Sequence, residues 1–200
     1  MDELFADQIR SEVLFDSYHA VCMGRSKEIG PRVIALLTAQ IVLRDGVATD
    51  EEESMFAAAE EFSDNEFLMF REYLRKSLTA AEGPEGGDSS INDHGEVVCR
   101  IRVTDVDSRW SLGSVPMSGQ NLGSWLGSWA ARLSTNGLLD DIVEQESFPY
   151  KEDSERHIDE DGVVTRFTWS AVFSPAAVIF LALIERVCSG SAPESAGDGR

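Results

Sequence analysis

The sequence predicts an α+β protein in which a helical unit precedes a small antiparallel sheet with helices. Through residues 1–80, apolar side chains recur at three- and four-residue steps, which is the period of amphipathic helices. From residue 97 onward, apolar and polar side chains alternate, which is the period of a half-buried strand. Hydrophobic residues make up 42% of the 200-residue chain, enough to bury a core, so a folded protein is expected.

The first 80 residues are expected to form four helices joined by short turns. Apolar spacing predicts a first helix over 3–22, and Pro31 is well placed at the start of the next one. The second helix, 33–43, is apolar on nearly every side, so we expect it to be the buried member of the group. Asp45 and the glycine after it end that helix.

Two capping boxes predict where the third and fourth helices begin. Thr49 is followed three residues later by Glu52, and Ser63 is followed in the same way by Glu66. In this motif the hydroxyl accepts from the backbone of the first turn, while the carboxylate accepts from the backbone of the capping residue. Residues 1–80 are therefore interpreted as a helical domain.

Residues 81–95 contain Gly, Pro, Ser and Asp and almost no apolar side chains, so they are interpreted as a flexible linker or loop. After this boundary we expect an α+β domain over 96–188 and a disordered tail over 189–200. The predicted elements of that domain are, in order, a strand over 97–104, an irregular segment over 105–118, a helix over 119–135, a strand that starts within 138–146, a charged loop over 147–162, a strand over 163–169 and a helix over 175–188.

Three glycines near the start of the first predicted helix of this domain, Gly119, Gly123 and Gly127, are spaced four residues apart. On one helix they would share a face and let a neighbouring element approach, at a cost of about 1 kcal/mol per glycine relative to alanine. The alternative is that 118–124 forms a loop and that the helix starts only at Ser124.

The later part of the domain resembles a known family. The stretch from Leu133 to Leu139, LSTNGLL, leaves the predicted helix and is followed by a strand, a charged loop, a strand and a last helix that opens with Ser174 and Pro175. This order is similar to the wing region of bacterial winged-helix regulators, over about residues 119–188. The resemblance implies a winged-helix fold, which serves either in DNA binding or as a protein-binding module. The N-terminal helices also resemble small all-helical domains of prophage and stress-response proteins.

The charge of the resembling segment favours the protein-binding role. Its predicted recognition helix offers only Arg132, and its predicted wing, 148–162, holds six acids against Lys151 and Arg156. Binding to DNA depends on neutralising phosphates with Lys and Arg. Direct nucleic-acid binding is therefore not expected.

The negative charge of the chain is uneven. With 36 acidic and 17 basic residues the net charge is −19, divided into about −8 over 1–80, −4 over 81–95 and −7 over 137–168. Residues 96–136 come to about +1. Such an acidic surface repels phosphate backbones and anionic lipid. Adaptation to a salt-rich cytoplasm is an alternative origin of the acidity.

The near-neutral segment 96–136 is the predicted partner-binding surface, because Trp and Arg are enriched at binding hot spots. The residues assigned to this surface are Arg100, Arg102, Arg109, Trp110, Trp125 and Trp129. We expect Arg100 and Arg102 to share one face of a strand. The alternative for Trp125 and Trp129, which are four residues apart, is that both belong to the core.

No motif in the chain points to catalysis, a cofactor or a metal. Cys22, Cys99 and Cys188 are far apart and lack C-x-x-C spacing, so we expect reduced thiols. The acidic runs in 140–146 and 159–161 do not follow the calcium-loop pattern and are interpreted as solvated charge. The prediction is a protein that is not an enzyme and that has no catalytic, cofactor-binding or metal-binding residues.

The chain is expected to reside in the cytoplasm and to have no membrane partner. Its N-terminus lacks the apolar segment of a signal peptide. The most apolar run, 176–184, is about nine residues, which is too short to span a bilayer.

Taken together, these observations predict a non-catalytic acidic protein that binds another protein as an adaptor, regulator or inhibitor, of phage, prophage or defence type. Its acidic faces would steer it toward a basic partner. Three alternatives stay open: a DNA-binding transcription regulator, an acidic mimic of nucleic acid that blocks a nucleic-acid-binding protein, and an enzyme, which would require a buried, perturbed acid or histidine in a pocket.

Overall fold

The computed structural model describes residues 8–44, 46–82, 88–107, 122–149 and 163–190. Within these residues the chain forms seven helices and four strands, which confirms the α+β class. The helices are α1 (Gln8–Met23), α2 (Ile29–Leu43), α3 (Asp50–Glu61), α4 (Asp64–Ala81), α5 (Leu122–Leu126), α6 (Ser128–Thr135) and α7 (Pro175–Ser189). The strands are β1 (Ser89–Ile91), β2 (Val97–Asp107), β3 (Leu139–Pro149) and β4 (Val163–Phe173).

Both predicted capping boxes are confirmed. The Thr49 hydroxyl accepts from the Glu52 backbone N–H at 3.3 Å, and the Glu52 carboxylate accepts from the Thr49 N–H at 2.9 Å. Ser63 and Glu66 make the same reciprocal pair at the start of α4. The Glu52 carboxylate also accepts two hydrogen bonds from Arg44, at 3.0 and 2.8 Å, so this box joins the end of α2 to the start of α3.

The Asp64 side chain caps α2 from a different helix. Its carboxylate accepts from the backbone N–H groups of Lys27, Glu28 and Ile29 at 3.1, 3.3 and 2.9 Å, and from the Ser26 hydroxyl. Burial on its own raises the pKa of Asp64, but these hydrogen bonds lower that pKa below its ordinary value. The first turn of α4 therefore fixes where α2 begins.

The sheet is antiparallel throughout, with strand order β1-β2-β4-β3. β3 and β4 pair over eleven residues each, from Leu139 opposite Phe173 to Pro149 opposite Val163. β3 forms one edge of the sheet, and its residues 140–147 are exposed. The strands are longer than the alternating segments of the sequence predict.

Part of the segment predicted as a linker, 81–95, forms the first strand and the turn of a β-hairpin. Residues 83–87 lie outside the described residues, but 89–91 form β1, which pairs with the start of β2. The intervening turn is closed by the Asn92 side chain, which accepts from the backbone N–H groups of His94 and Glu96 at 3.0 Å each. Over residues 89–95 the polar composition thus reflects turn chemistry, and the linker over 81–95 stays a prediction.

The predicted 119–135 helix is interrupted at Gly127. Gly127 has φ +103° and ψ 178°, a conformation that essentially only glycine adopts, and it separates α5 from α6. Gly123 lies within α5. The alternative that 118–124 form a loop is therefore wrong for residues 122–124. Gly119 lies outside the described residues, as do the other predicted features within 108–121, 150–162 and 191–200.

Replacing Gly127 with alanine is expected to lower the free energy of unfolding by about 2 kcal/mol, because the backbone conformation is strained for any residue with a Cβ. An added Cβ would lie 3.5 Å from Trp129 Cδ1, which is ordinary contact, so the loss would come from backbone strain and not from a clash. Urea denaturation measures the change. Gly190→Ala is the matched control, because Gly190 has φ −74° and its nearest atom would be 3.6 Å away; it should shift stability by less than about 0.5 kcal/mol. Equal losses in the two variants would contradict this account.

The hydrophobic core is shared by the helices of residues 1–80 and the elements after residue 96. Phe180 of α7 lies between three buried phenylalanines from the first part of the chain, with ring centroids 6.1 Å from Phe62, 6.0 Å from Phe67 and 5.8 Å from Phe70. Helix α7 also packs against α2, α3 and α4. The division into domains over 1–80 and 96–188 stays a prediction.

Among the described helices, none has both the length and the apolar character needed to cross a bilayer.

Candidate functional site

The structure does not bring the predicted partner-binding residues together as one surface. Arg109 and Trp110 lie outside the described residues. Arg100 and Arg102, expected on one strand face, lie on opposite faces of the sheet: Arg100 is opposite Ser170 and Arg102 is opposite Trp169. Because those two partners are consecutive in β4, their side chains point to opposite sides. The reason is a β-bulge that places one extra residue of β2 between the two arginines.

Trp129 is a core residue with only 2% of its surface exposed. Its ring stacks on Phe173 with centroids 6.3 Å apart and also contacts Phe70 and Tyr73, at 5.8 and 5.6 Å. The structure supports the alternative in which Trp129 belongs to the core. Trp129 therefore has no accessible surface to offer a partner.

Arg102 and Trp125 do contact each other. The guanidinium carbon of Arg102 lies 4.8 Å from the centroid of the Trp125 ring, a distance typical of a cation–π contact. Trp125 is half-buried, and its Nε1 is buried with no hydrogen-bond partner among the described residues. Arg100 pairs instead with Asp88 at 3.6 Å, and both side chains are largely exposed, so the pair contributes little free energy.

A buried carboxylate, Glu66, joins α4 to α6. It accepts from the Ser128 hydroxyl at 2.5 Å, from Arg132 Nε at 3.1 Å and from the backbone and hydroxyl of Ser63 at 2.9 and 2.8 Å. Burial alone raises the pKa of Glu66, but these hydrogen bonds lower it to about 2. Arg132, the basic residue of the predicted recognition helix, is thus half-buried and hydrogen-bonded to an internal carboxylate.

Metal binding and nucleophilic chemistry both depend on how titratable side chains are grouped and buried. Within the described ranges, no three His, Cys, Asp or Glu side chains are grouped so that they could hold a metal ion. Cys99 is buried, and burial raises the pKa of its thiol, which disfavours the nucleophilic thiolate.

An apolar groove between α1 and α2 is the surface that the sequence analysis missed. Its volume is about 410 Å³. Its lining residues are mostly apolar: Leu14, Ser17, Tyr18, Val21, Ile34, Ala35, Thr38, Ala39 and Val42. The hydroxyls of Ser17 and Thr38 lie 2.5 Å apart, and each is also within hydrogen-bonding distance of a carbonyl of its own helix. The polar groups at the base of the groove are therefore satisfied internally, and the groove offers an apolar surface.

Large apolar side chains are exposed on the two helices of the groove. Tyr18 lines the groove and is 71% exposed, Phe15 and Met23 of α1 are 69% and 67% exposed, and Leu43 at the end of α2 is 84% exposed. The sequence predicted α2 as a buried helix because it is apolar on nearly every side. One face of α2 is indeed buried, but Leu43 and the groove alanines are exposed. The exposed part of this apolar helix is therefore surface that a partner could cover.

An acidic cleft of about 320 Å³ lies on the other side of α1, between α1 and α3. Three carboxylates line it, those of Asp16, Glu53 and Glu60, together with apolar side chains that include Val13 and Phe56. None of the described residues that line the cleft is basic. Both this cleft and the groove include Ser17, so they are adjacent along α1.

Comparisons with known proteins returned no matching family model, no matching curated protein and no matching solved structure.

Proposed function

We propose that this chain is a non-catalytic protein that binds another protein through the helical hairpin of α1 and α2. The observation that carries the proposal is the apolar groove with exposed Tyr18 on its wall and exposed Phe15, Met23 and Leu43 on the same two helices. Exposed apolar surface of this kind marks sites of protein–protein contact, since water covers it at a free-energy cost. Adaptor, regulator and inhibitor are the roles that fit a binding surface without a reaction centre.

Two further observations support a protein partner over DNA. Arg132 hydrogen-bonds to Glu66 instead of being free to contact phosphate. The edge strand β3 presents four acids, Asp140, Asp141, Glu144 and Glu146, all exposed. The order α6, β3, β4, α7 is the one that the winged-helix resemblance requires, and we retain a protein-binding winged-helix module as part of the proposal.

Replacing Tyr18 with serine is expected to reduce partner capture by about tenfold or more, because aromatic anchors dominate binding free energy. The experiment is affinity capture from the native host with the full-length chain as bait, followed by mass spectrometry. Leu68→Ser is the matched control, since Leu68 is an exposed apolar residue on a different helix, α4. A protein retained by the wild type and by Leu68→Ser but lost by Tyr18→Ser is the expected outcome.

Two results would overturn the proposal. One is recovery of no specific protein, and the other is enrichment of nucleic acid in its place. A mobility-shift assay at low salt tests the DNA-binding alternative directly, and tight binding to duplex DNA would favour that alternative.

A further inference from the structure

We infer that the occupant of the α1–α2 groove is an amphipathic helix of a partner protein, and that basic residues beside its apolar stripe pair with the acidic cleft across α1. This inference rests on the proposed protein-binding function and specifies the chemistry of the partner. The groove supplies the apolar part of the surface, and the cleft supplies the charge.

The groove has the dimensions that suit a helix. Its α1 wall is formed by Leu14, Tyr18 and Val21, which recur at steps of four and three and span about 10 Å, or two helical turns. The opposite wall contains two small residues of α2, Ala35 and Ala39, both exposed. Small residues let an incoming helix approach closely, and an amphipathic helix occupies such grooves through anchors at i, i+3 or i+4, and i+7.

The acidic cleft selects the charge of the partner. Glu53 and Glu60 are seven residues apart on α3 and therefore share a helix face, while Asp16 faces them from α1. No described basic side chain forms an ion pair or hydrogen bond with these three carboxylates. Three acids without internal counterions form a region of negative potential that attracts Lys or Arg from outside.

The same charge disfavours a second copy of this chain as the occupant. Each chain carries a net charge of −19, so two copies repel each other, most strongly at low ionic strength. In a symmetric dimer, the acidic cleft of one copy would lie close to the cleft of the other. The same negative potential that opposes self-association attracts a basic partner.

The test uses two synthetic peptide probes of about 18 residues, roughly five helical turns. Both carry the same leucine stripe at helical spacing, and their polar positions are lysine in one probe and glutamate in the other. Fluorescence anisotropy measures the Kd of each probe for the full-length chain. The lysine probe is expected to bind at least about tenfold more tightly than the glutamate probe.

Two sets of variants separate groove binding from unspecific attraction to an acidic protein. Ala39→Trp fills the groove and should weaken the lysine probe by about tenfold or more, whereas Ala80→Trp, at an exposed alanine of α4, should leave its Kd unchanged. The double variant Glu53→Gln and Glu60→Gln should also weaken the probe and reduce the dependence of its Kd on salt. Circular dichroism of each variant checks that the fold is intact.

The outcomes distinguish this inference from the proposed function. Equal affinity of the lysine probe for Ala39→Trp and Ala80→Trp overturns the inference, because the peptide would then bind elsewhere on the acidic surface. Sedimentation equilibrium that shows dimers abolished by Ala39→Trp also overturns it, in favour of a second copy. If the probes fail but protein capture still depends on Tyr18, the proposed function stands and the basic-helix partner is wrong. If capture fails as well, both are wrong.

Discussion

Truncation of Phe70 to alanine is expected to lower the free energy of unfolding by about 4 kcal/mol, the largest effect of any substitution considered for this chain. Phe70 is fully buried, and its ring lies 5.8 to 6.4 Å from the rings of Phe62, Trp129, Phe173 and Phe180. These partners come from both ends of the chain, so the cavity would open where the helices meet the sheet. A loss of this size is a large fraction of the stability of a typical domain.

The same variant tests whether the chain unfolds as one unit. All four tryptophans lie after residue 96, so their fluorescence reports on the later part of the chain, whereas Phe70 belongs to the earlier part. In urea denaturation, the fluorescence transition and the circular dichroism transition should move together to lower urea. Leu68→Ala, two residues away but 46% exposed, should change stability by less than about 1 kcal/mol. If the fluorescence transition of Phe70→Ala stays at the wild-type urea concentration, the parts before 80 and after 96 unfold independently.

Removal of the Glu66 carboxylate is expected to be the next most damaging change, at about 3 kcal/mol for Glu66→Ala. The substitution leaves the Ser63 N–H, the Ser128 hydroxyl and the Arg132 guanidinium without their acceptor in a largely buried setting. It also removes the capping box of α4. Glu72→Ala is the matched control, because Glu72 pairs with Lys76 four residues later on the same helix with both side chains exposed; its effect should stay below about 0.5 kcal/mol.

The dependence of stability on pH follows from the lowered pKa of Glu66. In the unfolded chain this carboxyl has its ordinary pKa of 4.5, and in the folded protein its pKa is about 2. The contribution of Glu66 is therefore fully present above pH 4.5 and is lost as the pH falls from 4.5 toward 2, because the unfolded state takes up the proton first. The pKa values of Glu52 and Asp64 are also lowered, so the wild type loses stability from several sites in acid.

Glu66→Gln measures how much of the pH dependence of stability comes from the Glu66 carboxyl, because glutamine does not titrate. Urea denaturation between neutral pH and pH 2 should show a shallower loss of stability for Glu66→Gln than for the wild type. Parallel pH profiles for the two proteins would mean that the carboxylate has no special stabilisation in the folded state.

The features that local sequence determines were predictable. Both capping boxes act within four residues. At the start of β2 the predicted alternation is also present, since Val97 and Cys99 are buried and Arg100 is exposed. The winged-helix resemblance, by contrast, stays a prediction. The break at Gly127 was not predicted, because the glycine spacing is equally compatible with a continuous helix that packs closely against a neighbour.

The site residues were less predictable because their surroundings depend on contacts between distant parts of the chain. The opposite orientation of Arg100 and Arg102 comes from the register with β4, which no spacing within β2 reveals. Arg132 meets Glu66 across 66 residues of sequence. The only sign of the groove in the sequence is the unusually apolar character of α2. Which side of that helix is exposed depends on the elements that pack against it, and the sequence of α2 does not reveal them.

The acidic edge strand β3 has a consequence for the behaviour of the protein at high concentration. The edge of a sheet carries unpaired backbone groups that can template the addition of further strands, and Ile142 and Val143 at the middle of β3 are both partly exposed. The carboxylates of Asp141 and Glu144 flank that pair directly and act as gatekeepers against fibrillar assembly. The edge strand therefore combines two opposing tendencies: its unpaired backbone and its central apolar pair favour the addition of further strands, and its flanking charges oppose it.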